Sequence, residues 1–90
     1  MLSADEIIVQ PIIKSKAVLG WEVLRQYPKK RVIVARILGN GPVVRELAVR
    51  TALSLAELML VSQIQIYPND YADEMMQSIQ ENGCRIVTEH

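Results

Sequence analysis

The sequence predicts an α/β fold: a single small domain over residues 1–90 in β-α-β-α-β-α-β order, with a layered sheet of mainly parallel strands and packed helices. Three observations carry this expectation. Short runs rich in β-branched residues recur along the chain, segments with helical spacing of apolar residues separate them, and proline and glycine fall at the junctions. Alternation of this kind joins each strand to the next by a right-handed crossover, which lays the strands parallel.

Glu6–Lys14, "EIIVQPIIK", is short and β-branched and reads as a strand; Pro11 cannot donate to a ladder and implies an edge position or a bulge. Ser15 then caps a helix over residues 16–26, with Ala17, Val18, Trp21 and Leu24 on one stripe and Pro28 as the stop. Gly20 inside it costs up to about 1 kcal/mol relative to alanine. Arg31–Leu38, "RVIVARIL", has apolar residues on both faces, as the central strand of a covered sheet would. Gly39-Asn40-Gly41 turns the chain, and Pro42 opens a helix that runs to about Leu60. Its polar residues Glu46, Arg50, Ser54 and Glu57 share one face, and Glu46 and Arg50 are spaced for an ion pair. The remaining apolar face is broader than a sheet alone covers, which implies a second subunit.

"QIQIY", Gln63–Tyr67, alternates strictly, with Ile64 and Ile66 inward. A helix follows, capped by Asn69 or Asp70, with acids in its first turn, a stripe of Ala72, Met75, Met76 and Ile79, and Gly83 at its end. "CRIVTE", Cys84–Glu89, closes as a short strand.

Composition narrows the function. Cys84 is the one cysteine and His90 the one histidine, so no internal disulfide and no zinc or other metal site is expected. The carboxylates of Asp70, Asp73 and Glu74 cluster where a helix start favours acids, and no nucleophile has a recognisable base. The expectation is therefore no catalytic residue, no cofactor and no enzymatic activity. No apolar run approaches the roughly 20 residues of a membrane span, and "MLSADE" lacks the basic start of a signal peptide. A cytoplasmic protein without membrane contact is expected.

Net charge is zero but polarised: basic side chains exceed acidic ones by five through residue 50 and fall short by five thereafter. Such a chain either offers a positive face to an anionic partner or pairs its halves within or between subunits. Two candidate sites follow. Lys14, Lys16, Lys29, Lys30, Arg31, Arg36 and Arg45 form a candidate basic patch, and Gly39, Asn40, Gly41 and Arg45 a candidate anion-binding corner at a helix start. The corner lacks the third glycine of a dinucleotide fingerprint, since Val44 stands there, and Pro42 removes one amide from any phosphate cradle. With no phenylalanine, and with Trp21, Tyr27, Tyr67 and Tyr71 at element ends, single-strand binding by base stacking is disfavoured.

The strand–glycine–helix run "VIVARILGNGPVVRELAVRTALSLAEL", preceded by a β-α unit, is similar in pattern to Alba-type and stage V sporulation S-type small nucleic-acid-associated domains. The resemblance spans Ile7 to about Ile66. "YPNDYADEMMQSIQENG" departs from the hairpin that Alba-type chains carry there, and those families' lysine and glycine motifs are missing. The resemblance implies binding to a nucleic-acid backbone as the second reading.

The leading expectation is a non-enzymatic homo-oligomeric module, a dimer, that binds another macromolecule in an interaction or regulatory role. Nucleic-acid binding through the basic patch comes second, and a small anion or phosphate ligand at the Gly39–Arg45 corner third.

Overall fold

The computed structural model describes residues 5–82 and 87–88. Strands β1 (Glu6–Lys14), β2 (Ala17–Gln26) and β3 (Arg31–Leu38) come first, then helix α1 (Pro42–Leu58), strand β4 (Gln63–Ile66), helix α2 (Ala72–Asn82) and the two-residue strand β5 (Val87–Thr88). The sheet order is β3-β2-β1-β4-β5. β1–β2 and β2–β3 are antiparallel, whereas β1–β4 and β4–β5 are parallel. The domain is thus a mixed α/β unit that opens with an antiparallel meander. This corrects the expected β-α-β-α-β-α-β order with mainly parallel strands.

The correction turns on residues 16–26, expected as a helix and found as β2. Register along β1 runs Ile12↔Gly20 and then Ile13↔Val18, so Leu19 is an extra residue in β2. That bulge sets Val18 and Trp21, three apart, against the same core, a spacing that imitates a helix. Beyond it the alternation of a strand resumes: Trp21 and Val23 face the helices, while Glu22 and Leu24 face the other way. Gly20 fits a strand that β3 approaches closely. A Cβ there would overlap the Ile37 carbonyl oxygen and lie 2.9 Å from Leu38 Cα.

A second correction concerns Arg31–Leu38, which is an edge strand and not the centre of the sheet. β1 takes the centre, and Pro11 is accommodated there. Tyr67 N donates to Val9 O at 2.8 Å, so Val9 and, two residues on, Pro11 direct their backbone groups to the β4 side. The β4 pairing ends at Val9↔Ile66, and Pro11 lies past it with no ladder bond to lose. The expected Gly83 cap and most of the Cys84–Glu89 strand lie outside the described residues.

Both crossovers, β3 to β4 through α1 and β4 to β5 through α2, move in the same direction across the sheet. Right-handedness therefore puts both helices on one face. The core lies beneath them: Ile7 and Val9 from β1, Trp21 and Val23 from β2, Ile64 from β4, Ala48, Ala52 and Ala56 from α1, and Met75 and Ile79 from α2. The three alanines recur every turn and let α1 sit low on the sheet. Trp21 stands edge-on to Tyr71, ring centroids 6.2 Å apart.

The β1–β2 turn places Ser15 (φ 52°) and Lys16 (φ 66°) in the left-handed region between paired Lys14 and Ala17, a two-residue turn that asparagine and glycine fit best. The double substitution Ser15→Asn, Lys16→Gly is expected to raise unfolding free energy by about 1–2 kcal/mol, as the strain of these non-glycine residues is relieved. Urea titration measures it; an unchanged midpoint refutes it.

Candidate functional site

Among the described residues β3 has one neighbour, β2, and its other edge is open. An antiparallel ladder alternates pairs that exchange hydrogen bonds with pairs that do not. Gly39 N donates to Leu19 O at 2.7 Å and Tyr27 N to Lys30 O at 2.8 Å, which sets the phase at both ends. Trp21↔Ile37, Val23↔Ala35 and Arg25↔Val32 are then the bonded pairs. The backbone N–H and C=O of Arg31, Ile33, Arg36 and Leu38 point away from β2. Val23↔Ala35 is followed by Leu24↔Ile33, so Val34 is a bulge residue between the two halves of this row.

The edge is apolar as well as unpaired. Ile33 is 46% exposed, Leu38 72%, and Val32 and Val34 are also exposed. α1 extends this surface on the helix side. Arg45 and Glu46 face α2, since Arg45 Nε donates to Glu74 Oε2 at 2.7 Å and Ser78 Oγ to Glu46 Oε1 at 2.7 Å. The opposite flank of α1 therefore faces β3, and by helical spacing it carries Leu47, Thr51 and Leu58. Leu47 is 50% exposed and Leu58 80%. An open strand edge and an apolar helix flank thus lie along the same side of the domain, the combination a sheet presents when another chain continues it.

The face of the sheet away from the helices is built differently. Gln10, Glu22 and Arg36 form one cross-strand row: Gln10 Nε2 donates to Glu22 Oε1 at 2.9 Å and Arg36 Nη2 to Glu22 Oε2 at 2.8 Å. Ile8 and Leu24 are buried in the next row. The Gln10 amide and then the Arg36 guanidinium hold the Glu22 carboxyl below its ordinary 4.5, against the opposing pull of desolvation. A depressed folded value contributes stability that is complete above the unfolded pKa and is lost as pH falls through the folded one. Stability of the native chain is accordingly expected to decline below pH 4.5 more steeply than that of Glu22→Gln. Parallel acid-limb denaturation curves would contradict this.

The seven basic residues do not share a surface. Lys14 and Lys16 sit at the β1–β2 turn, while Lys29 and Lys30 lie in the β2–β3 turn and Arg31 begins β3, at the other end of a ten-residue strand about 33 Å long. Lys30 lies over the Tyr27 ring, and Arg36 is paired with Glu22.

Arg45 is buried, and its guanidinium is already engaged on every side. It bonds Glu74, donates to the Asn40 backbone oxygen and stacks 4.1 Å over Tyr71. The Glu74 carboxylate strengthens its hold on the proton. Gly39 (φ 110°) turns the chain, Gly41 is the helix N-cap, and Asn40 donates through Nδ2 to the Tyr71 hydroxyl at 3.3 Å. The corner thus brings Asn40 and Arg45 together in a contact that fastens α1 to α2.

Ile33 and Leu38 escaped the sequence reading as site residues; their signal was the two-faced apolarity of "RVIVARIL", which an exposed edge and a buried centre share, whereas Leu47 and Leu58 belong to the helix whose broad apolar face the sequence does show. No helix among the described residues is long and apolar enough to cross a membrane. Compared with known proteins, the chain matches no family model, no curated protein and no solved structure.

Proposed function

We propose that this chain is a non-enzymatic interaction module that acts as a homo-oligomer and engages its partners through the open edge of β3 and the adjoining flank of α1. One observation carries the reading: an eight-residue, largely apolar strand with its outer backbone groups unpaired lies beside exposed leucines of a helix. Sheet edges left in this state pair readily with other chains, and proteins that avoid pairing blunt them with proline, with lysine or with a covering segment. β3 carries neither proline nor lysine. Its charges are Arg31 and Arg36, of which Arg36 is neutralised by Glu22.

Binding in place of catalysis is supported by the carboxylates: Glu22 and Glu74 serve arginines of the same chain. We place the module in the cytoplasm, where a single unpaired cysteine is ordinary usage.

Sedimentation equilibrium tests the reading. The native chain is expected to pass from one-chain to two-chain mass across the micromolar range. Arg36→Pro is expected to stay folded and monomeric, because the N–H it removes points outward and serves no bond to β2. A native chain of one-chain mass throughout, or an Arg36→Pro protein that associates as the native one does, overturns the proposal.

A further inference from the structure

The free edge of β3 has a symmetry that its sequence alone does not show. In an unbroken strand, outward backbone groups fall on every second residue, and a two-fold axis between identical strands then passes through a residue. The bulge at Val34 shifts one half of β3 by a single position, so the outward residues are Arg31, Ile33, Arg36 and Leu38. This set is symmetric about the midpoint between Val34 and Ala35.

We propose that a second copy of this chain docks on β3 antiparallel, about a two-fold axis between Val34 and Ala35. The proposal rests on the edge reading above and adds its register. Arg31 lies opposite the partner's Leu38, and Ile33 opposite the partner's Arg36. All four outward residues of each strand then meet outward residues of the other and exchange backbone hydrogen bonds. Every other antiparallel register engages at most two of the four.

Charge and face agree with this register. Each arginine meets an aliphatic side chain, whereas the register two positions away sets Arg31 against Arg36, and like charges directly opposite are unfavourable. Glu22 neutralises Arg36 within its own chain at 2.8 Å, so Arg36 carries no unpaired charge into the contact. Ile33 and Arg36 lie on the sheet face away from the helices, in line with Leu24 and Glu22. Val32 meets the partner's Ile37 on the helix side, where both are apolar. The Leu47–Leu58 flank of each α1 stands above that row and is covered by the same docking event, which joins the two sheets into one.

Cysteine pairs test the register in the full chain carrying Cys84→Ser. Positions 31 and 38 of one strand are about 23 Å apart and form no disulfide within a chain. Across the proposed axis they are a hydrogen-bonded pair with Cα atoms about 5.5 Å apart, within disulfide reach. Under mild oxidation Arg31→Cys/Leu38→Cys is expected to become a covalent dimer carrying two interchain bonds, while Arg31→Cys/Arg36→Cys stays largely uncrosslinked. Crosslinking of the second pair and not the first overturns the register but leaves edge pairing standing. A chain that dimerises with neither pair crosslinked places the contact elsewhere and overturns it too. A chain that remains monomeric removes the proposed function with it.

Discussion

Gly20→Ala is expected to lower unfolding free energy by about 3 kcal/mol, near the upper end for overpacking a well-packed site. The added Cβ would overlap the Ile37 carbonyl oxygen and stand 2.9 Å from Leu38 Cα, and both are backbone atoms of β3. Neither can swing aside as a side chain tip would. Relief therefore requires β3 to move away from β2, where the Gly39 N–H donates to the Leu19 carbonyl. Gly41 supplies the contrast. It has extended backbone (φ −73°), nothing within 4 Å of a built Cβ, and no side-chain cap on α1. Gly41→Ser adds a capping hydroxyl and is expected to be neutral or stabilising by a few tenths of a kcal/mol. Urea denaturation of the two variants measures both. A Gly20→Ala midpoint equal to the native one would show that β2 and β3 do not approach as described.

Arg45→Ala is expected to cost about 2–3 kcal/mol, because one side chain joins three parts of the fold. It reaches Glu74 on α2, the Asn40 carbonyl at the turn before α1, and the face of Tyr71, which in turn stands edge-on to Trp21 in the core. Removing it leaves the Asn40 carbonyl without that donor and opens space over the tyrosine. The ion pair itself is the smaller share. Glu74 is half exposed, and solvent screens an attraction that burial would magnify. A double-mutant cycle with Glu74→Gln is accordingly expected to give a coupling below about 1 kcal/mol. A coupling that accounts for the whole loss would reassign the role of Arg45 to its charge.

Where sequence and structure agree, the local pattern belonged to a single element. α2 carries Asp73 and Glu74 in its first turn and buries Met75 and Ile79, and Asn69 accepts from Tyr71 N through Oδ1 at 2.7 Å. α1 begins at Pro42 and holds the Glu46–Arg50 pair at 3.0 Å, and β4 buries Ile64 and Ile66. Each of these rests on periodicity that nothing interrupts.

β2 failed for a physical reason. The Leu19 bulge breaks period two at the position where Gly20 also weakens the strand signal, and Val18, Trp21 and Leu24 fall at helical intervals. In the strand they divide, Val18 and Trp21 facing the helices and Leu24 the other sheet face. Taken as a helix, residues 16–26 leave β3 without its antiparallel neighbour, and its two-faced apolarity then points to the centre of a parallel sheet. The basic residues are likewise separated along the strands: Lys14 and Lys16 lie at one end of the sheet and Lys29, Lys30 and Arg31 at the other. Burial of Arg45 was not legible at all, because its partners Glu74 and Tyr71 lie more than 25 residues away.

The polarised charge is only partly resolved inside the fold. Among the described ion pairs, Arg25–Asp5, Arg36–Glu22 and Arg50–Glu46 join residues of the basic half, and Arg45–Glu74 alone crosses to the acidic one. The fold therefore does not depend on matching its two halves. Apolar surface along β3 and α1, more than charge, distinguishes one side of this domain from the others.

Amide hydrogen exchange at two protein concentrations tests the open edge most directly. The N–H groups of Arg31, Ile33, Arg36 and Leu38 have no partner in β2, so in dilute solution they are expected to exchange fast while those of Ala35 and Ile37 are protected. At concentrations where two chains associate, the four outward amides are expected to slow together, and the amides of Ser15 and Lys16 at the hairpin tip to stay unchanged. Exchange at Ile33 and Arg36 that is fast and identical at both concentrations, in a chain shown to be associated, would contradict pairing through β3.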